Sequence, residues 1–307
     1  MAPLIIDAHV HIYDILTGFG PKGEFRPLGK GKGIWANGKV EQFFPPQYGD
    51  LGFLAETLLE LMDAGGIAHG VLMQGGNYGF HNHYAAETAK KYPSRFTAAV
   101  TTDPYIAGAL DILRCFRENY GTRVLKFEMS RFWGLRGLHP ELMPDSPVMG
   151  PLWSFAHSNR MSVVLDTGPL DDPEKEVISL LRCRDKYPDA APVLAHLLFP
   201  CDDGKNGLRL RLLERLADAG WMFDITNYLC LWQKSPMSPE AIAYLQSVKQ
   251  AVGTGRLLWG TDIPGVLRHT SYPEMTGVMA DCGVFTPEEL ALVMGENAMR
   301  TYGISIS

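Results

Sequence analysis

Several features that mark particular classes of protein are missing from this chain of 307 residues. Its five cysteines are scattered and none stands in a Cys-x-x-Cys pair, which argues against a disulfide framework and against a thiolate zinc site. We therefore expect reduced thiols in a cytoplasmic protein. Basic residues are not in excess, since the net charge is -6 and the pI is near 5.8. A nucleic-acid partner is accordingly not expected.

Long apolar runs are missing too. No uninterrupted apolar stretch reaches the roughly 18 residues that a membrane-spanning helix needs. The apolar N-terminal stretch stops at Asp7 and has no basic region before it, so we interpret it as a core strand and not as a signal peptide. The partner we expect is a small-molecule substrate, without a membrane, and a homo-oligomer stays open.

The chain does contain an alternation of short β-rich apolar runs with longer segments of helical periodicity. The predicted strands are Leu4–Ala8, Gly70–Gln74, Phe96–Thr101, Arg123–Phe127, Ser162–Asp166, Pro192–His196, Trp221–Ile225 and Arg256–Gly260. The predicted helices include Leu51–Ala64, His83–Lys91, Ile106–Asn119, Glu174–Lys186, Leu208–Ala219 and Pro239–Val252. Eight strands, each followed by room for a helix, predict a distorted (β/α)8 TIM barrel, with a doubly wound sheet as the alternative. No internal repeat or linker is evident, so residues 1–307 are predicted to form one domain.

Two insertions interrupt the alternation. Residues Tyr13–Asp50 follow the first strand, are rich in glycine, proline and aromatics, and suggest little regular structure. Residues Met129–Pro147 follow the fourth strand. Segments after the carboxyl ends of barrel strands lie over the active-site mouth, so both are candidate lids. Ordinary surface loops are the alternative.

The first candidate site residues are His9 and His11, at the end of the first strand. Residues two apart in a strand share a face and lie roughly 6–7 Å apart, so both imidazoles point to one place. That spacing suits two ligands of one divalent ion. Asp262 ends the eighth strand, which neighbours the first in a barrel. It is a candidate third ligand or the base that takes a proton from water, unless it only caps the following turn.

Other strands also end in polar side chains. His196 ends the sixth strand and is a candidate ligand, acid/base or transition-state donor, or else a core histidine. Asp166 ends the fifth strand. Glu128 follows the fourth, with Lys126 on the same strand, and this pair is structural as readily as catalytic. Acidic and imidazole residues at several carboxyl ends form the usual active-site pattern of a barrel.

Five groups of residues, spread over nearly the whole chain, form a recognisable set. They are Ile6–His11, Tyr92–Phe96 with Asp103-Pro104, Ala195-His196, Leu258–Pro264 and Gly295–Arg300. With these groups the chain resembles the amidohydrolase superfamily, in particular the branch that contains aminocarboxymuconate-semialdehyde decarboxylase. The resemblance implies a distorted TIM barrel with one divalent metal, usually zinc. By position it implies that His9 and His11 are ligands, Asp262 is a ligand or base, and His196 contacts the catalytic water or the substrate.

The chain departs from this branch at the end of the fifth strand, where a metal-binding histidine is usual and Asp166 stands instead. Aspartate binds zinc or manganese, so Asp166 is predicted as a further ligand of either ion. The alternative is a weak or absent metal, as in some lactonases of the branch that work without one.

Our first hypothesis is a hydrolase that acts on a small carboxylated cyclic substrate, such as a lactone, through an activated water. Asp262 would shuttle the proton and His196 would stabilise the developing charge. The candidate substrate-binding residues are Lys126, Glu128, Arg131 and Arg136. The alternative is non-oxidative decarboxylation of an aromatic or muconate-type acid on the same residues. A third hypothesis is a non-catalytic barrel that has lost its metal.

Overall fold

A computed structural model describes residues 4–76, 78–201, 203–226 and 237–306. Its twelve described strands are β1 (Ile6–Val10), β2 (Gly18–Gly20), β3 (Gly23–Gly29), β4 (Lys32–Trp35), β5 (Val40–Gln42), β6 (His69–Leu72), β7 (Phe96–Val100), β8 (Val124–Glu128), β9 (Ser162–Asp166), β10 (Ala191–Ala195), β11 (Met222–Asp224) and β12 (Leu257–Leu258). β1 and β6 to β12 form one parallel sheet in which the strands follow one another in chain order. Backbone hydrogen bonds from Ala8 to Trp259 (3.0 Å) and from Asp262 to His9 (2.8 Å) join the two ends of this sheet. The sheet therefore forms a nearly closed barrel, and the predicted (β/α)8 fold is confirmed.

The helices between and after these strands lie close to the predicted segments. They are α1 (Ala55–Gly65), α2 (Asn82–Lys91), α3 (Ala109–Tyr120), α4 (Gly150–Ser158), α5 (Pro173–Lys186), α6 (Asn206–Asp218), α7 (Pro239–Val252), α8 (Tyr272–Asp281), α9 (Pro287–Ala291) and α10 (Asn297–Tyr302). α1 begins four residues later than predicted, because an antiparallel bridge between Tyr13 and Phe53 keeps the preceding residues extended. No helix in the described part of the chain has the length and hydropathy needed to cross a membrane.

The barrel interior is filled from one end. Small and branched side chains from the strands, among them Ala8, Val71 and Val164, form an apolar cluster with Tyr302 and Ile304. The hydroxyl of Ser162, at the amino end of β9, donates to the backbone oxygen of Thr301 at 2.6 Å. α10 therefore covers the amino ends of the strands, and the carboxyl ends are left for a site.

The insertion Tyr13–Asp50 is more regular than predicted. β2 to β5 form an antiparallel sheet in which Phe25 pairs with Trp35, and both side chains are buried. Gly33 makes room for this pair, since a Cβ at that position would lie 2.0 Å from the ring of Phe25. The expectation of little regular structure is wrong, because the strands are short and glycine turns interrupt their alternation.

Four of the cysteines can be described. Cys115, Cys183, Cys201 and Cys282 form no disulfide with one another. Cys230 lies outside the described residues.

Candidate active site

A cavity of about 590 Å³ opens at the carboxyl ends of the barrel strands. The predicted site residues that line it are His9, His11, Lys126, Glu128, Asp166, His196 and Asp262. Arg131 is not among the lining residues; its side chain is half exposed and lies 3.6 Å from Asp171. Arg136 is buried elsewhere, where its Nη2 atom lies 2.7 Å from the carboxylate of Glu176. The structure thus brings seven of the predicted residues together and places the two arginines outside the cavity.

His9, His11 and Asp262 form the one group of three potential metal ligands found among the described residues, with ligand atoms within 4.8 Å of one another. Nε2 of His11 lies 2.9 Å from Oδ1 of Asp262, and Nε2 of His9 lies 4.0 Å from the same oxygen. Burial alone would raise the pKa of Asp262, but the hydrogen bond and charges of the neighbouring imidazoles lower it to about 2. The carboxylate is therefore ionised near neutral pH.

The second nitrogen of each of these two rings has its own partner. Nδ1 of His9 lies 2.5 Å from Oδ2 of Asp224. Nδ1 of His11 lies 3.0 Å from the backbone oxygen of Met73, and the hydroxyl of Tyr78 contacts the same nitrogen. With both Nδ1 atoms engaged, the Nε2 atoms are the ones that face Asp262.

The backbone around Asp262 is held by a buried carboxylate, that of Asp7. Its oxygens accept hydrogen bonds from the backbone nitrogens of His9 and Thr261, both at 3.0 Å, and from the hydroxyls of Thr261 (2.5 Å) and Tyr272 (2.8 Å). Burial raises the pKa of Asp7 to about 7 despite these bonds. Asp7 thereby connects β1, the segment after β12 and α8 beneath the cavity.

Asp166 belongs to a second cluster. Its Oδ2 atom lies 3.1 Å from Nε2 of His196 and 3.6 Å from Nζ of Lys126, while its Oδ1 accepts from the backbone nitrogen of Gly168 at 2.9 Å. The structure therefore brings Asp166 to His196 and Lys126, and the group formed by the two N-terminal histidines and Asp262 does not include it.

The charges of this second cluster follow from burial and from its one strong anion. Burial alone would lower the pKa of His196, but the carboxylate of Asp166 raises it to about 10. Burial and the charge of Asp166 raise the pKa of Glu128, whereas the positive charges of His196 and Lys126 hold the pKa of Asp166 well below its usual value. These shifts favour a cationic His196, an ionised Asp166 and a protonated Glu128 near neutral pH.

The turn after β10 presents His196 to the cavity in an unusual conformation. Residues His196 to Phe199 all have positive φ angles, between 51° and 60°. Non-glycine residues pay roughly 1–2 kcal/mol each for this region, and such strain concentrates at functional sites. Arg209 supports the turn, since its Nε donates to the backbone oxygen of Leu198 at 3.2 Å and its other nitrogens bind Asp203. The buried side chain of Arg209 thus stabilises this unusual conformation.

Both predicted lids reach the cavity. Glu41, Gln42 and Phe43 of the first insertion line it, as does Trp133 of the second. Arg268, which follows β12, donates to the backbone oxygen of Gln42 at 3.0 Å and so joins the insertion to the barrel. The insertions therefore form part of the cavity wall.

Sequence reasoning missed Asp224, Tyr78 and Asp7 as parts of this arrangement. Asp224 carried a weaker signal than Asp166, because it is the next-to-last residue of the predicted seventh strand, whereas Asp166 is the last residue of the fifth. Burial raises its pKa to about 7. Tyr78 lies in a loop after β6 and had no such signal.

A parallel eight-stranded barrel with histidines and aspartates converging at its carboxyl ends defines the amidohydrolase class of barrel. The model of the amidohydrolase family matches residues 6–304, so the chain belongs to this family and is an enzyme. This finding disfavours the hypothesis of a non-catalytic barrel. A comparison with curated proteins found no match.

Solved structures show the same fold at low sequence identity. A probable 2-pyrone-4,6-dicarboxylic acid hydrolase from Acinetobacter baumannii, with citric acid bound, is 16% identical with a TM-score of 0.69, covering 97% of this chain and 99% of its own. An amidohydrolase from Burkholderia multivorans with bound zinc is 15% identical with a TM-score of 0.70, covering 98% and 100%. The 5-carboxyvanillate decarboxylase from Sphingomonas paucimobilis is 16% identical with a TM-score of 0.56, covering 80% and 82%. At these identities the similarity establishes the fold.

Proposed function

We propose that the protein hydrolyses a small carboxylated cyclic substrate, such as a lactone, with one divalent metal ion bound by His9, His11 and Asp262. The observation that carries this proposal is the convergence of these three side chains at the floor of the cavity, with ligand atoms within 4.8 Å of one another. Two imidazoles and one carboxylate are donors that suit zinc, and manganese is the alternative. The Burkholderia amidohydrolase with bound zinc supports the choice of zinc.

The orientation of the two rings fits a metal. Since Nδ1 of each ring is engaged by Asp224 or by the backbone oxygen of Met73, the Nε2 atoms are the available donors, and both face Asp262. A divalent ion held in this way supplies Lewis acidity and makes water a better nucleophile near neutral pH. Asp166 has less support as a ligand, because both of its oxygens already contact other groups.

Proton transfer falls to Asp262 and charge stabilisation to His196. In the hydrolysis, the water oxygen bonds to the lactone carbonyl carbon and the water proton passes to Asp262. The ring C–O bond then breaks, and the leaving oxygen takes that proton from Asp262. The His196 ring, which lies 5.1 Å from that of His9, is cationic and stabilises the negative charge that develops on the carbonyl oxygen. A carboxylate of low pKa accepts the proton only transiently, so it is available again for the next step.

Lys126 is the proposed partner of the substrate carboxylate. Its side chain is 1% exposed and lines the cavity, and its ammonium group donates no hydrogen bond to the described residues. The neighbouring Asp166 oxygen, at 3.6 Å, is shared with His196. A buried cation with free donors favours an anionic ligand.

Decarboxylation of an aromatic or muconate-type acid is the second candidate. It requires an acid that delivers a proton to carbon as CO₂ leaves, and Glu128 lines the cavity with a raised pKa that keeps it protonated. The fold similarity to the 5-carboxyvanillate decarboxylase is consistent with this reaction. Product analysis distinguishes the two candidates.

The experiment is a panel of lactones and hydroxybenzoates assayed with purified protein, together with elemental analysis for metal. From the wild-type protein we expect ring-opened acids as the products of the lactones and a stoichiometric amount of bound metal. His11→Ala should lose the metal. Asp262→Asn should lower kcat by roughly 10²–10⁴-fold, because it removes the proton acceptor. The surface variant Arg131→Ala is the matched control and should keep both properties. Activity on neither class of substrate would refute both candidates, and CO₂ release alone would select the second.

A further inference from the structure

Asp224 is the last residue of β11 and is fully buried behind the cavity, where it contacts no solvent. Its Oδ2 atom lies 2.5 Å from Nδ1 of His9, and its Oδ1 accepts from the backbone nitrogen of Thr226 at 2.7 Å. Each oxygen of the Asp224 carboxylate therefore has its own partner, which is His9 for one and the backbone of Thr226 for the other. These two contacts fix the orientation of the carboxylate towards His9.

The short segment from Asp224 to Thr226 also orients His196. The backbone oxygen of Thr226 lies 3.1 Å from Nδ1 of His196, so the segment from Asp224 to Thr226 engages Nδ1 of two cavity imidazoles. Gly260 packs against it, since a Cβ there would lie 2.6 Å from the Thr226 hydroxyl and 2.9 Å from Cβ of His9. The turn and His9 are thus in close contact and cannot shift independently.

The hydrogen-bond pattern decides which nitrogen of His9 carries the hydrogen. A histidine that binds a metal through one ring nitrogen has its ring hydrogen on the other nitrogen. A carboxylate accepts but does not donate, so a hydrogen between Nδ1 and Asp224 leaves the lone pair on Nε2. The Nδ1 atom of His11 is engaged in the same way by a backbone oxygen, that of Met73, which a side-chain substitution cannot remove. Of the two Nδ1 partners, only Asp224 can therefore be tested by mutation.

We propose that Asp224 is a positioning residue that keeps the hydrogen of His9 on Nδ1 and thereby presents Nε2 as a metal donor. The inference rests on the proposed metal site and extends it to a residue that does not touch the cavity. Carboxylates behind ligand histidines fix the ring orientation and raise its basicity, and their loss commonly costs 10–100-fold in metal affinity. An asparagine at this position has nearly the same shape, but its amide can donate to Nδ1 and so move the ring hydrogen to Nε2.

The first test compares zinc affinity by competition with a chelator. Asp224→Asn should weaken zinc binding by about 10–100-fold. Glu176→Gln is the matched control, because it also neutralises a buried carboxylate but lies outside the cavity, against Arg136. Unchanged affinity in Asp224→Asn, or an equal loss in Glu176→Gln, would overturn the proposal.

The second test does not depend on a variant that folds or on bound metal. The ¹⁵N imidazole spectrum of the metal-free wild-type protein should show the ring hydrogen of His9 on Nδ1. A hydrogen on Nε2, or an equal mixture of the two tautomers, would overturn the role of Asp224. A protein that binds no zinc but shows the Nδ1 tautomer would refute the proposed metal site, whereas the control of the His9 tautomer by Asp224 would stand.

Discussion

Replacing Gly260 by alanine tests how closely the segment after β12 must approach His9. The new Cβ would lie 2.9 Å from Cβ and 3.0 Å from the backbone nitrogen of His9, and 2.6 Å from the hydroxyl of Thr226. That hydroxyl has no hydrogen-bond partner among the described residues and can rotate away. His9 cannot move as easily, because its nitrogen donates to Asp7 at 3.0 Å and its oxygen accepts from Asp262 at 2.8 Å. Overpacking of this kind costs about 1–3 kcal/mol.

Urea unfolding and a zinc titration measure the two consequences. We expect Gly260→Ala to lower the urea midpoint with an unchanged slope, and to weaken zinc binding because His9 is displaced. Gly265→Ala is the control, since a Cβ at that cavity-lining position meets no atom within 4 Å. The reasoning is refuted if Gly260→Ala unfolds and binds zinc like the wild type, or if both variants lose the same amount.

Two further predictions concern ion pairs outside the proposed metal-binding group. Arg136→Met leaves the buried carboxylate of Glu176 without its partner, so the free energy of unfolding measured in urea should fall by about 3–5 kcal/mol. Adding Glu176→Leu should restore most of this loss. An unchanged urea midpoint in Arg136→Met would contradict the prediction. The second prediction concerns Glu41. Partial burial alone would raise its pKa, but the ammonium groups of Lys22 and Lys39 lower that pKa from 4.5 to about 2. The stabilisation by Glu41 is therefore complete above pH 4.5 and is lost as the pH falls towards 2, so Glu41→Gln should flatten the stability curve between these values, whereas superimposable acid unfolding curves would argue against it.

The barrel could be predicted because each of its strands and helices is encoded locally. Short β-rich runs alternate with segments of helical periodicity, and parallel strands in chain order bring all carboxyl ends to one side. The convergence of His9 and His11 followed from strand geometry alone, and that of Asp262 from the adjacency of the first and eighth strands. Burial and backbone hydrogen bonds then placed these side chains as expected.

Contacts that depend on the register between strands could not be read from the sequence. Asp224 reaches His9 across the short strand β12, which lies between β11 and β1 in the barrel, and Gly260 allows this close approach. The exclusion of Arg131 from the cavity depends on the path of a loop without periodicity. The insertion sheet was missed for a related reason, since its strands are paired by tertiary contacts such as that of Phe25 with Trp35.

Asp166 shows that a change of residue type at one strand end alters the charge balance of the whole cavity. A neutral histidine there could serve a metal without affecting its neighbours, whereas the carboxylate of Asp166 contacts Lys126 and His196 at 3.6 and 3.1 Å. Directing that carboxylate to a metal at His9 would leave two buried cations without their anion, and an uncompensated buried charge is strongly destabilising. Asp166 therefore stabilises the cationic His196 that the proposed reaction needs, and His9, His11 and Asp262 are left to hold the proposed metal.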